Sequence, residues 1–382
     1  MSQRPEALRA SPSGGARTGP AARPGPGARI PRSVYRRLAR AGKAVLLLLG
    51  VYGLLRRLHP ASCPTILRFH SVAGEEGLEY ASRGIAVTPR VFRRQVRYLS
   101  RNYRVIDMDR LHAWLTAGGG LQPDTLVFTF DDGYLDNFAA ARVLRQHGCS
   151  AAFYLTAGCL RGGARIWLHE VTARLRHSRR EHLHLAWNGH VLDYGLRSLD
   201  EKEAALAGII RWIKTLTVAS RTSFMARLAE ALPVEDATWS RPVMLSWDDV
   251  REMARMGMTF GGHTLTHCNL VHATSDEVRG EIRDCMEIMR QELGAPPRHF
   301  AYPNGGTDAY YDGRSKEEVR LAGFVTSGTS RAGSVSRESD PWDLPRVGVP
   351  RSLAELVHSL EWWKARELFR TRWPRFAGHP GD

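Results

Sequence analysis

Thr125-Leu126-Val127-Phe128-Thr129-Phe130 places six strand-favouring residues in a row with no polar alternation. That is the pattern of a strand covered on both faces, as in the interior of a parallel sheet or barrel. The same reading predicts strands at 65–70, 103–106, 150–155, 258–260, 299–302 and 324–326. Between them, apolar residues recur at helical spacing over 88–99, 108–115, 137–146, 275–293 and 317–321, and Ser246-Trp-Asp-Asp249 starts a further helix. Strand and helix alternate, which predicts a parallel α/β sheet or barrel. The rhythm breaks over 159–242, where Asn188-Gly189 marks a hairpin and Ser198-Leu-Asp-Glu201 is a capping box opening a long helical stretch. This segment reads as a mostly helical insertion over one end of the sheet, with Trp167 directed at the site or at the core.

The first 63 residues follow another pattern. Residues 1–30 are rich in Pro, Gly, Ala and Arg and predict a disordered tail. Residues 31–60 predict a basic, apolar helix, in which Arg36, Arg37, Arg40 and Lys43 precede the run 44–55 and Arg56 and Arg57 follow it. Twelve apolar residues fall short of a bilayer span. A signal-peptide reading would need a charged leader far longer than usual. The expectation is a helix lying in a membrane interface, at either the cytoplasmic or the periplasmic face, with a core helix as the alternative.

The net charge of +15 resembles that of a nucleic-acid-binding protein until it is located. Residues 1–63 hold twelve Lys and Arg against Glu6 alone, so the remaining 319 residues carry only +4. No basic stripe interleaved with aromatics is left to bind nucleic acid. Five cysteines without C-x-x-C spacing predict neither a disulfide framework nor a cysteine-rich zinc site, and Cys268 reads as a small buried residue.

The chemistry concentrates at strand ends. Asp131 and Asp132 follow the 125–130 strand, and Gly261-Gly262-His263-Thr-Leu-Thr-His267 follows the 258–260 strand. In such folds the carboxyl ends of the strands carry the site. One carboxylate and two histidines make three ligands for a divalent metal, zinc above all, with positions left open. The second carboxylate is then available as a general base.

Thr129-Phe-Asp-Asp-Gly-Tyr134, His263-Thr-Leu-Thr-His267 and Phe300-Ala-Tyr-Pro-Asn-Gly305 resemble the successive motifs of the polysaccharide deacetylases of the NodB-homology type, metal-dependent carbohydrate esterases. The resemblance spans roughly residues 65–350 and implies a distorted (β/α)7-type barrel. It makes Asp131 the catalytic base and Asp132, His263 and His267 the metal ligands. Asn304, Tyr134 and Arg346 become oxyanion or substrate-binding residues. Ala301 stands where many members have the arginine that orients the base, so Asp343 or Arg346, in a segment resembling a fourth motif, is expected to supply that orientation. The general acid falls to His70, at the end of the first strand, over His358. The organisation expected is a catalytic domain over 61–158 and 243–350, interrupted by the 159–242 insertion and followed by a C-terminal helix and tail over 351–382. The activity implied is removal of acetyl groups, N-acetyl foremost, from an N-acetylated polysaccharide or lipid-linked glycan. The alternative is an inactive, membrane-tethered glycan-binding protein on the same fold.

Overall fold

The computed structural model describes residues 32–74, 80, 81, 84–160, 164–234, 241–304 and 310–372, with side chains among them from 34 to 362. The tail expected at 1–30, Gly305 and the end of the C-terminal tail lie outside the described residues. The chain divides into units of 1–42 and 43–382.

The stretch expected as one helix is two, α1 (Arg32–Leu48) and α2 (Val51–Leu58), broken where Gly50 adopts a φ of 71°. Then follow β1 (Thr65–Phe69), α3 (Pro89–Asn102), β2 (Arg104–Val105), α4 (Met108–Ala117), β3 (Thr125–Phe130), α5 (Asn137–Gln146) and β4 (Ala152–Leu155). The insertion contributes α6 (Trp167–His177), the hairpin β5 (His182–Trp187) and β6 (His190–Gly195), α7 (Leu199–Ile213) and α8 (Val218–Ala231). The alternation resumes with α9 (Trp247–Arg255), β7 (Thr259–Gly262), α10 (Ser275–Leu293), β8 (His299–Ala301), α11 (Gly313–Leu321), β9 (Thr326–Gly328), β10 (Arg346–Gly348) and α12 (Leu353–Arg372).

Seven strands pair in the order β10-β1-β3-β4-β7-β8-β9, and β2 adds to β3. Every pairing is parallel. A bridge from Gly328 to Leu344 brings β9 back to the approach of β10, so the sheet is a nearly closed seven-stranded (β/α) barrel. Parallel pairing puts all carboxyl ends on one side.

The period of two along each strand sorts the residues. Phe69, Phe128, Phe130 and Phe153 face out into a core shared with α3, α5 and α9, with Phe130 and Phe153 stacked at 4.6 Å. Ile66, Val127, Ala152, Tyr154 and Ala301 form a separate inner cluster. Asp131 therefore continues the inward face of Val127 and Thr129. The insertion has its own core of Val171, Leu175, Ile209, Phe224 and Leu228.

Three strand expectations shift. β7 includes Gly261 and Gly262 rather than ending before them. A Cβ on Gly261 would stand 2.4 Å from the His299 carbonyl oxygen and 2.6 Å from the Tyr154 ring, so the close approach of β7 to its neighbours needs glycine there. β9 begins at Thr326, not Phe324, and β10 had no strand predicted for it.

Candidate active site

β3 is buried along its whole length and delivers Asp131 and Asp132 into the barrel mouth. Asp132 and Gly133 then take positive φ of 78° and 85°, a sharp turn that leaves two adjacent carboxylates at different depths. The loop after β7 supplies the histidines. It is a turn and not a helix, with Thr264 and His267 at φ of 63° and 58°. That strain is held by a buried brace. Glu281 of α10 accepts from the Thr266 amide at 2.8 Å and also from its hydroxyl, which Arg221 of α8 contacts as well. Arg221 lies 4.0 Å from Glu281, and Trp167 Nε1 donates to the His267 carbonyl at 2.9 Å. The insertion thus grips the histidine loop, and Trp167 faces the site.

Asp132 Oδ1 lies 3.3 Å from His263 Nε2 and 3.2 Å from His267 Nε2, all three residues being buried. The three ligand atoms fall within 4.8 Å of one another, the arrangement of a metal-binding triad. Tetrahedral ligands about 2.0–2.1 Å from a zinc ion would stand roughly 3.3 Å apart. His263 Nδ1 donates to the Ala301 carbonyl at 2.7 Å, leaving Nε2 with a lone pair toward Asp132. Asp132 Oδ1 has no hydrogen-bond partner among the described residues. An orphaned buried carboxylate oxygen facing two imidazole nitrogens fits a divalent cation. Burial alone would raise the Asp132 carboxyl, but the facing His263 and His267 imidazoles hold it well below the usual range.

Asp131 is held differently. Arg346, itself fully buried, donates to Oδ1 at 2.6 Å and Oδ2 at 2.8 Å, and its Nε donates to the Thr329 carbonyl at 2.9 Å. Burial works against the Asp131 charge, yet Arg346 foremost, with His263 and His70, brings its carboxyl below the ordinary value. β10, next to β1, therefore fills the place of the arginine that Ala301 lacks. Of the two residues expected to orient Asp131, Arg346 is the one that reaches it. Two expectations are corrected here. Arg346 has no exposure with which to touch a substrate. Asp343 does not reach Asp131; it pairs with Arg331 at 3.2 Å and accepts from the Tyr311 hydroxyl at 2.5 Å.

His70 Nε2 stands 3.9 Å from Asp131 Oδ2, and burial pushes the imidazole down to about 4. His358 is elsewhere, its Nδ1 2.9 Å from the Tyr52 hydroxyl of α2 and its ring stacked on Trp362. Tyr134, expected as a substrate contact, is only 3% exposed; its hydroxyl lies 3.0 Å from His169 Nε2, and the neighbouring Asp132 carboxylate helps burial push the phenol up. It supports the triad from behind. Asn304 takes a φ of 67° and its carbonyl accepts from Ser330 Oγ at 2.6 Å. The sequence reading missed Arg221, Glu281 and His169.

A carboxylate locked to an arginine thus lies beside a three-ligand cluster able to hold a cation and a neutral histidine, at the mouth of a (β/α) barrel. The family model described as polysaccharide deacetylase matches residues 212–326, which include both histidines of the triad. Over that span the chain is similar to the polysaccharide deacetylases. Asp131 and Asp132 lie outside the matched span and come to the same site through β3. Among solved structures the chain is similar to the Streptococcus pyogenes deacetylase PplD in complex with acetate, at 17% identity and a TM-score of 0.52, over 79% of this chain and 99% of that one. It is also similar to IcaB from Ammonifex degensii, at 19% identity and a TM-score of 0.50, over 80% and 98%. At these identities the likeness is one of fold. No curated protein matches the sequence.

Proposed function

We propose that this protein is a metal-dependent deacetylase that hydrolyses acetamide groups on the sugars of a polysaccharide or lipid-linked glycan at a membrane surface. The observation that carries the reading is the division of labour between adjacent carboxylates. Asp132 faces two histidines, and Asp131 faces an arginine. A divalent cation, zinc by ligand type, held by Asp132, His263 and His267 would supply Lewis acidity toward the acetyl group and the attacking water.

Asp131 accepts the proton of that water as its oxygen bonds to the acetyl carbon, and Arg346 keeps the carboxylate ionised and aimed. His70 is neutral at physiological pH, so the proton it delivers is the one collected by Asp131 across the 3.9 Å gap. The C–N bond breaks as His70 protonates the nitrogen, giving acetate and an amine. The Asn304 amide is assigned to the developing oxyanion.

Membrane association rests on α1 and α2. Among the described residues no single helix is long and apolar enough to cross a membrane. Val45, Leu48, Leu49, Leu54 and Leu58 are nevertheless exposed near Lys43 and Arg57. An apolar face with a basic cluster is a two-signal anchor. Acetate release from a panel of chitooligosaccharides, with added zinc and with a chelator, tests the central reading. Release that needs the metal supports it, and substrate binding with no release on any member would favour an inactive glycan-binding protein.

A further inference from the structure

Beside His70 the barrel mouth opens into a cavity of about 290 Å3, close to the lower end for ligand pockets. Arg68 and His70 line it from the β1 side, Ile85 and Val87 from the segment before α3, and Gly348 and Val349 from the end of β10. His70 also faces Asp131 at 3.9 Å, so the cavity and the catalytic site share a wall. Ile66 belongs to the inner cluster, and period two turns Arg68 inward with it. Two residues of strand span about 7 Å, so Arg68 starts from the chain roughly one sugar unit from His70.

The two inward arginines differ in what answers their charge. Arg346 is matched by both oxygens of Asp131. Among the described residues, Arg68 donates from Nη1 to Ser330 Oγ, its Nε is buried without a partner, and no carboxylate pairs with it. Burial foremost, and then the Arg346 charge, press its pKa down, while Asp131 and Asp132 oppose that from longer range. A cation held against both is stabilised by an anion that enters beside it, and the apolar walls of Ile85, Val87 and Val349 strengthen such a pair by excluding water. Ser330 Oγ in turn donates to the Asn304 carbonyl at 2.6 Å, which ties the guanidinium to the loop assigned to the oxyanion. We infer that Arg68 binds an acidic group of the glycan substrate, a carboxylate or a phosphate, carried on the acetylated sugar or on its immediate neighbour. The inference rests on the deacetylase reading for the acetyl end.

The test uses the full-length, zinc-loaded protein with three disaccharides: neutral N,N′-diacetylchitobiose, its 1-phosphate, and N-acetylglucosamine joined to glucuronate. Calorimetry gives Kd and acetate release gives kcat/KM. A charge-assisted pair is expected to favour an acidic disaccharide over the neutral one by at least about tenfold. Whichever of glucuronate and phosphate gains more identifies the source of the anion. Arg68→Gln brings the acidic-to-neutral ratio close to one. Should that variant melt abnormally, Arg68→Lys decides, because it keeps a charge without the planar fork and is expected to lower the ratio severalfold. A ratio near one for both acidic disaccharides in the parent protein overturns the inference, as does a full ratio retained in a natively melting variant. Acid-selective binding that disappears in Arg68→Gln, without acetate from any disaccharide, keeps the Arg68 assignment and sinks the deacetylase reading instead.

Discussion

Replacing Arg346 with methionine keeps most of the buried volume and removes the one charge that Asp131 grips with both oxygens. Charge-assisted hydrogen bonds are worth about 1.5–3 kcal/mol each, and removing one partner of a buried pair typically costs about 3–5 kcal/mol. Expressed wholly in the carboxyl pKa, that is an upward move of roughly 2–4 units, at about 1.4 kcal/mol per unit. Water entering the space left by the guanidinium reduces it, so a rise of one to two units is the working expectation. Two readouts follow. The acidic limb of kcat/KM against pH shifts upward by at least one unit, because the base must be ionised to work. At pH 7 the rate still falls about 10²-fold or more, since a misdirected base forfeits much of the 10²–10⁴ that general base catalysis supplies.

Stability gives an independent check on the same pair. In the parent protein the Asp131 carboxyl lies below its ordinary value, so its contribution is complete above the unfolded pKa and fades only as pH falls through the folded one. In Arg346→Met the folded pKa lies above the unfolded value. The carboxyl then favours folding while protonated and loses that as pH rises. The gap in melting temperature between parent and variant should therefore widen from pH 4.5 to pH 7. Bound metal should stay near one equivalent, because Arg346 touches none of the three ligands. A variant with an unshifted acidic limb and a parent-like rate would refute the assignment of Arg346 to the base.

Asp131→Asn should retain the metal and lose about 10²–10⁴ in kcat; loss of metal instead would exchange the roles of the two carboxylates. Asp132→Ala, His263→Ala and His267→Ala should each lower metal content, read by atomic absorption, in step with activity. Arg221→Met, in the brace of the histidine loop, is expected to weaken metal affinity by about 10–100-fold, as outer-layer substitutions do; an unchanged affinity in a competition titration would make the brace a matter of folding only. His70→Ala should slow acetamide cleavage far more than cleavage of an activated acetyl ester, whose leaving group needs little protonation; equal losses on both would remove His70 as the acid.

The parts of this site that could be read from sequence are those where one local rule decides the answer. An unbroken apolar strand ending in two acids places both at the barrel mouth, and period two then turns Asp131 inward with Val127 and Thr129. The parts that could not be read depend on tertiary partners. β10 is three residues long and shows no periodicity, so motif likeness left Asp343 and Arg346 as equal candidates, and only the pairing of β10 with β1 sets Arg346 against Asp131. His358 sits on a helix whose apolar face belongs to Tyr52, which no spacing within 353–372 reveals. A subtler signal was available and went unread. Along α10 the buried positions are Val278, Glu281, Ile282, Cys285 and Met289, and along α8 they are Arg221, Phe224, Met225 and Leu228. A lone acid in one buried stripe and a lone base in another have few ways to avoid desolvation except each other and a polar loop between them. That loop carries His267. A charge interrupting an apolar helical stripe thus identifies a helix that holds a site in place, even where the helix contributes no catalytic group.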